Sequence, residues 1–296
     1  MAPARLARRI AKKLRRIART APQKLRRIAA CDLAWSDKLL YALRANRTRY
    51  RFQSGASVAL RPHTTDAKVF DEIFVEQVYA PCLTILAQTT LPRNLDRVTL
   101  IDLGAYTGLS ALFFAQNLPV TQIIAVEPDP ANFHQLSANL ESAGLSARST
   151  AVHAFAGAER AFAQVQDSGN GAWGMRMGPA SATGTPVLPL AELAALARTS
   201  APIVLKCDIE GAERQLFLHL HDWEHRIRYI FLELHTEFLS LPELQACLDS
   251  SSFRWTIHGA PDPQASITFC SLERGEPRAR PTSKPTGNAT MKHVCL

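Results

Sequence analysis

The stretch Val98–Pro128, VTLIDLGAYTGLSALFFAQNLPVTQIIAVEP, constrains this chain more than any other. It opens on an apolar run, Val98 to Leu103, interrupted only by Thr99 and Asp102. A turn with glycine at positions 104 and 108 follows, then a helical pattern from Leu109 to Gln116, then a second apolar run, Ile123–Val126, ending on Glu127. Strand, glycine turn, helix and a strand tipped with an acid make a βαβ unit suited to hold a nucleoside. Glycine lets the backbone approach a ligand with no Cβ in the way. A carboxylate at the tip of the second strand is placed to accept hydrogen bonds from both ribose hydroxyls.

The turn narrows the ligand further. A dinucleotide fingerprint needs glycine at 104, at 106 and near 109, but the chain has Tyr106 and Leu109, so a pyrophosphate is not accommodated closely. No Gly-Lys-Ser/Thr follows, which excludes a phosphate loop. The D-x-G-A-x-x-G spacing instead leaves room for a compact amino-acid end beside an adenosine. That is the pattern of enzymes that use S-adenosyl-L-methionine.

Length bounds the rest. At 296 residues and 47% hydrophobic, the chain can bury one full α/β core. No apolar run approaches the ~20 residues a membrane span requires. Six scattered cysteines (31, 82, 207, 247, 270 and 295) form no Cys-x-x-Cys and no Cys/His cluster, which points to a reducing, cytoplasmic setting. The net charge of +8 is local: residues 1–30 hold eleven Lys/Arg and no acid, and the remainder carries 23 basic and 26 acidic groups, net −3. A near-neutral body argues against a nucleic-acid groove. Residues 5–28 place Leu6, Ile10, Leu14, Ile17 and Ala21 on one helical side with Arg and Lys opposite, a pattern suited to peripheral contact with an anionic membrane or an acidic partner; the same arginine-rich, acid-free character fits a targeting segment or a disordered basic tail.

The chain then divides into a basic amphipathic segment (1–30), a catalytic-size domain (31–275) and a disordered tail (276–296). Within the domain, 49–53 and 57–60 flank Gly55 as a hairpin, and Asp66 caps a helix running to Tyr79. Pro81 and Pro92 punctuate the approach to the central strand. Helix 131–142 precedes a third strand, 149–156, and a glycine-rich stretch, 164–178, reads as an active-site loop or a β-excursion over one. Trp173 within it is either a stacking surface for adenine or substrate, or a core tryptophan. A helix at 190–197, a strand at 203–207 ending on Asp208, a helix to Leu220, a strand at 229–234, a helix at 241–250 and a last strand at 267–271 complete the order. The alternation predicts an α/β, doubly wound, Rossmann-like sheet with helices on both faces.

Several segments together resemble the FkbM family of S-adenosylmethionine-dependent methyltransferases. They are Arg61-Pro62 with Thr65-Asp66, Ile101-Asp102-Leu103-Gly104-Ala105, Val126-Glu127-Pro128, the run Leu205-Lys206-Cys207-Asp208-Ile209-Glu210-Gly211-Ala212-Glu213, and Phe231-Leu232-Glu233-Leu234-His235. The resemblance covers about residues 60–272, and its most specific part is the K-x-D-x-E-G-A-E segment. It implies that Asp102, Gly104, Ala105 and Gly108 line the methionine end of the cofactor and that Glu127 binds its ribose. Tyr106, Ser110, Pro128 and His153 complete the cofactor set, and Asp208 and Glu210 face the methyl group and the acceptor. Two positions depart from the family pattern: His153 stands where asparagine is frequent, and Leu190-Ala191 where Leu-Asp is.

Methyl transfer from a sulfonium is an in-line displacement on an already activated carbon, so a protein mainly positions the acceptor and removes its proton. Asp208 and His235 are the candidate bases, Glu210 the next, and Lys206 is placed to orient a carboxylate or the acceptor. Glu213 reads as a first-turn acid balancing a helix dipole. A divalent metal held by Asp208 and Glu210 is conceivable, but two carboxylates do not establish a site, and no metal ligand is assigned. The leading expectation is O-methylation of a hydroxyl on a sugar, glycan, lipid-linked or natural-product acceptor. The competing ones are a membrane-associated scaffold with a vestigial pocket and, disfavoured by Tyr106, a nicotinamide-dependent oxidoreductase.

Overall fold

The computed structural model describes residues 27–29, 31–42, 48–88, 96–169, 171–259, 261–262 and 264–278. The basic segment up to residue 26 and most of the expected tail therefore lie outside the described residues.

Helix α1 (Trp35–Ala42) and the hairpin β1 (Arg49–Arg51) and β2 (Ser57–Ala59) lead into α2 (Asp66–Phe70). The single helix expected to Tyr79 is not formed. α2 passes into a π-helical turn, Asp71–Val75, the chain turns at Gln77 with φ +56°, and α3 (Ala80–Gln88) begins. Pro81 sits in the first turn of α3, where a missing N–H breaks no helical bond. Nor does Asp66 cap its helix; Thr65 stands at that position without a side-chain cap bond.

The core βαβ unit follows as β3 (Val98–Leu103), α4 (Leu109–Asn117) and β4 (Val120–Glu127), with α5 (Pro130–Ser142) after it. Asp129 caps α5 by accepting from Asn132 N, and Pro130 fits the first helical turn. The run 149–156, expected as one strand, is divided at Ala154 between two sheets. β5 (Ser149–His153) joins the main sheet, whereas β6 (Phe155–Gly157) joins a second sheet with β7 (Ala161–Asp167), β8 (Met175–Ala180) and β9 (Thr185–Pro189). The glycine-rich stretch is thus a β-excursion. Its turn, around Gly169 and Gly171, connects the antiparallel pair β7 and β8.

After α6 (Leu190–Ala195) come β10 (Ile203–Cys207), α7 (Glu213–Leu218), α8 (Leu220–Trp223), β11 (Ile227–His235), α9 (Leu241–Ser250), β12 (Phe253–His258) and β13 (Ile267–Pro277). α9 carries a full capping box between Ser240 and Glu243, worth about 1 kcal/mol. β12 was not expected, and β13 runs to Pro277, past the boundary at 275, because β12 supplies its outer partner.

The main sheet has seven strands in the order β12-β13-β11-β10-β3-β4-β5. The five from β11 to β5 are parallel, and β13 and β12 are antiparallel. This is the doubly wound, Rossmann-like α/β arrangement. Alternation along the strands divides the core into two layers. Leu100, Ile123, Val204 and Phe231 face one, with Phe113 and Phe114 of α4. Ile101, Ile124, Leu205 and Leu232 face the other, with Leu193 of α6, Phe217 of α7 and Leu248 of α9. Every residue of β3 is buried, as a central parallel strand covered on both faces requires. No helix among the described residues is long and apolar enough to cross a membrane.

Gly104 sets how closely the ends of β3 and β10 can meet. It adopts φ +68°, and a Cβ there would lie 1.8 Å from the Asp208 carbonyl oxygen. Here the missing side chain lets two backbones touch. Gly104→Ala is expected to destabilise the protein by about 3–5 kcal/mol, through left-handed strain plus this clash. Denaturant unfolding checks it, and an unchanged midpoint would refute the close approach.

Candidate functional site

The carboxyl ends of the parallel strands open into a cavity of about 380 Å³, within the range of small-ligand sites. Of the residues singled out from sequence, Gly104, Ala105, Tyr106, Ser110, Glu127, Pro128, Lys206, Asp208 and Glu210 line it. Asp102, Gly108, His153 and His235 are not on its wall, and the structure gives each a different task.

Asp102 is fully buried behind the glycine turn, where its Oδ2 accepts from Ser110 Oγ at 2.6 Å. Gly108 precedes α4 with φ +82°, and a Cβ there would approach Leu136 Cδ1 to 2.9 Å. It therefore seats α4 against α5. His153 bonds through Nε2 to the Pro128 carbonyl at 3.0 Å, and its ring packs on Phe133. Ala154 and Phe155, the next two residues, reach the cavity in its place.

Lys206 lies directly across from Asp102 on the neighbouring strand. Its Nζ donates to the carbonyls of Leu103 (3.2 Å) and Gly104 (2.8 Å) and lies 3.4 Å from Asp102 Oδ1 and 3.3 Å from Asp208 Oδ2. Burial alone would discharge such an amine, but the Asp208 and Asp102 charges outweigh it and hold the pKa well above its ordinary value. These bonds engage its donors, so Lys206 fixes the glycine turn and aims Asp208 rather than binding an acceptor.

Glu127 is 4% exposed. Its Oε2 accepts from Tyr106 N at 2.9 Å, and its Oε1 from Asp129 N (3.0 Å) and Asn132 Nδ2 (3.2 Å). These bonds favour the anion, yet burial dominates and pushes its pKa up to about 7. Tyr106 presents that N–H from a left-handed conformation, φ +51°, which is uncommon for a residue with a side chain. Its ring is held in turn by Asp66, whose Oδ1 accepts from the Tyr106 hydroxyl. Asp66 is fully buried and also receives Arg61 N, Nε and Nη2. Although burial opposes it, this pairing with Arg61 and Tyr106 holds the Asp66 carboxyl below its usual range. Arg61 Nη2 continues to Asn132 Oδ1 at 2.9 Å, and Asn132 Nδ2 to the Ala172 carbonyl at 2.8 Å. One polar network thus ties the N-terminal segment, the glycine turn, Glu127 and the β-excursion together. Trp173 lines the cavity with Lys68 Nζ 3.5 Å from its ring centre.

At the other end of the cavity, His235 Nδ1 lies 2.6 Å from Glu213 Oε1, and its Nε2 lies 3.7 Å from Glu210 Oε2. Burial lowers the His235 pKa, but the Glu213 hydrogen bond and charge prevail and set it at about 9. The Glu213 contact fixes the imidazole with Nδ1 toward Glu213 and Nε2 toward Glu210. Glu213 is itself fully buried. It is the anchor of His235 rather than a surface acid on a helix dipole. Burial and the nearby Asp208 raise Glu233 to about 8, and burial raises Glu210 as well.

Sequence reasoning missed Glu233, Glu72, Glu76, Phe155 and Met175 on the cavity wall. Glu233 alone carried a signal, since it precedes His235 by two positions on one strand and so shares its face.

Because folding raises the Glu127 pKa from 4.5 to about 7, the folded state binds the extra proton between those values. Its contribution is therefore most favourable below about pH 4.5 and falls as pH rises through 7. Glu127→Gln should flatten the decline in unfolding free energy between about pH 5 and about pH 8, by on the order of 3 kcal/mol relative to wild type. Parallel urea unfolding series measure this, and identical slopes would refute it.

The model of the methyltransferase FkbM domain matches residues 102–249, half of the chain. Among solved structures, an FkbM methyltransferase from Methylobacillus flagellatus is 18% identical with a TM-score of 0.41, over 63% of this chain and 46% of that one. The chain thus spans under half of that relative's length. A precorrin-6y C5,15-methyltransferase from Geobacter metallireducens is 13% identical, over 67% of this chain and 87% of that one, with a TM-score of 0.36. TrmK of M. capricolum, solved with S-adenosyl-homocysteine, is 10% identical, over 66% and 69% of the two chains, with a TM-score of 0.38. No curated protein matches the sequence significantly. The match from Asp102 to Asp249 covers the glycine turn, Glu127 and the Asp208 turn, and the chain belongs to the FkbM methyltransferase family.

Proposed function

We propose that the cavity binds S-adenosyl-L-methionine and transfers its methyl group to a hydroxyl of a sugar, glycan, lipid-linked or natural-product acceptor. The observation that carries this reading is the charge of the cavity. Six carboxyl groups line it (Glu72, Glu76, Glu127, Asp208, Glu210 and Glu233), and even with Glu127 and Glu233 raised to near neutrality the acids outnumber one ammonium, Lys206, whose donors are already engaged. Such a wall favours a cofactor carrying a sulfonium and an α-ammonium and repels the two phosphates of a dinucleotide. It therefore speaks against the nicotinamide reading on grounds independent of Tyr106.

The residues fit that cofactor. Glu127 Oε2, with one protein donor, retains acceptor capacity for a ribose hydroxyl, and Phe155 lines the same cavity with a flat apolar ring. Gly104, Ala105 and Ser110 border the amino-acid end. Bound there, the cofactor would supply an electrophilic methyl carbon. Asp208 follows β10 with its side chain 26% exposed and one oxygen held by Lys206, which leaves the other to take the proton of an acceptor hydroxyl. His235, anchored by Glu213, lies beside Glu210 at the same end of the cavity. Beyond them, Val69, Ile73, Val78, Tyr79, Ile267 and Phe269 form an apolar approach flanked by Glu72 and Glu76. An uncharged acceptor with an apolar flank suits that approach better than an anionic one. The basic residues 5–28 suit an anionic surface from which a lipid-linked acceptor could be presented.

Calorimetric titration of the full chain with S-adenosylhomocysteine should show saturable binding, weakened roughly tenfold to a hundredfold in Glu127→Ala by loss of charge-assisted bonds. Binding of reduced nicotinamide dinucleotide alone would overturn the proposal. With labelled cofactor and a panel of hydroxylated acceptors, Asp208→Asn should lower turnover by about 10²–10⁴-fold while S-adenosylhomocysteine still binds. Undiminished turnover would remove Asp208 from the role of base.

A further inference from the structure

Three side chains that are far apart in sequence converge beside the cavity. Cys207 pairs with Leu232 across the parallel strands β10 and β11, so the next residues, Asp208 and Glu233, are neighbours. His235 lies two positions beyond Glu233, on the same face of β11. One carboxylate oxygen from Asp208, one from Glu233 and one ring nitrogen of His235 all lie within 4.8 Å of one another.

Each donor is prepared in a way a simple acidic cluster is not. Because Glu213 engages Nδ1 of His235 at 2.6 Å, Nε2 is the nitrogen left for a ligand. A buried carboxylate behind a histidine is the arrangement that orients metal-bound imidazoles and strengthens them as ligands. Lys206 holds Oδ2 of Asp208; the other Asp208 oxygen and both Glu233 oxygens have no hydrogen-bond partner among the described residues. Glu210, with Oε2 at 3.7 Å from the same Nε2, adds a further negative charge at the rim. Carboxylates thus converge beside Nε2 of His235, where a divalent ion would take the place of the imidazole proton.

The geometry points to a divalent metal site formed by Asp208, Glu233 and His235, with Glu213 as the positioning residue behind the histidine. Two carboxylate oxygens and one imidazole suit a first-row ion such as Mn²⁺ better than Ca²⁺, which takes six to eight oxygens. Three protein ligands leave positions open toward the cavity. On the methyl-transfer reading, from which this role follows, an open position would take the acceptor hydroxyl and lower its pKa, and with Asp208 engaged as a ligand the proton would pass to Glu210 at the rim. The site itself does not depend on that reading.

The test is Mn²⁺ binding to the full chain, freed of affinity tag and stripped with EDTA, read by loss of the free-ion electron paramagnetic resonance signal and by calorimetry without cofactor. One saturable Mn²⁺ per chain is expected, at least tenfold weaker in Glu233→Gln and about 10–100-fold weaker in Glu213→Gln. Glu233 has no bonded partner to strand, so its variant stays informative even if Glu213→Gln fails to fold. Circular dichroism checks each protein. Absence of saturable binding to folded wild type, or undiminished binding to folded Glu233→Gln, would overturn the site. Titration with S-adenosylhomocysteine alongside separates the two ideas: a protein that binds it but not Mn²⁺ loses only the metal site, and the converse loses only methyl transfer.

Discussion

A single buried ammonium, Lys206, joins the two halves of the site. It bridges the carbonyls at the end of β3, the buried Asp102 and the reactive-side Asp208. Removing a charge from water is expensive, and only this set of charged and carbonyl partners makes it tolerable. The consequence is geometric. The turn after β3 and the turn after β10 are held together tightly enough that Gly104 cannot carry a side chain. Every feature of the cavity inherits its position from that junction, including the left-handed backbone of Tyr106 and the exposed oxygen of Asp208.

A second buried anion, Asp66, performs the corresponding task on the Glu127 side of the cavity. It gathers Arg61 and Tyr106, and through Asn132 the same network reaches Glu127 and the β-excursion. Glu127 is thus preorganised by N–H donors from the glycine turn and α5. The polar network in this region is rigid for the reason such networks usually are: each member left unpaired would carry a desolvation penalty of about 1–3 kcal/mol.

The fold was legible because apolar periodicity carries most of it. The apolar runs of β3 and β10, the acid-tipped β4 and the helical spans between the strands are local patterns, and they predict a doubly wound sheet directly. Failures of the reading arose where tertiary partners overrode local pattern. The run 149–156 looks like one strand, but the second sheet captures residues 155–157. β13 outruns its apolar stretch because β12 pairs with its polar end. The helix from Asp66 ends early because the chain must turn at Gln77, which no turn-forming residue announces.

The candidate site divides along the same line. Sequence alone determined the glycine turn, Glu127 at a strand tip and the Asp208-x-Glu210-Gly211 turn, because each is a spacing within one element. Tertiary structure decided what those residues do. It buried Asp102 and Gly108 behind the turn, tied His153 to the Pro128 carbonyl, made Lys206 a strut and oriented His235 through Glu213. It also set Glu233 beside Asp208. The physical reason is that protonation and ligation depend on burial and on charges from other strands. Those distances are set by β-sheet register, which no local pattern in the chain encodes.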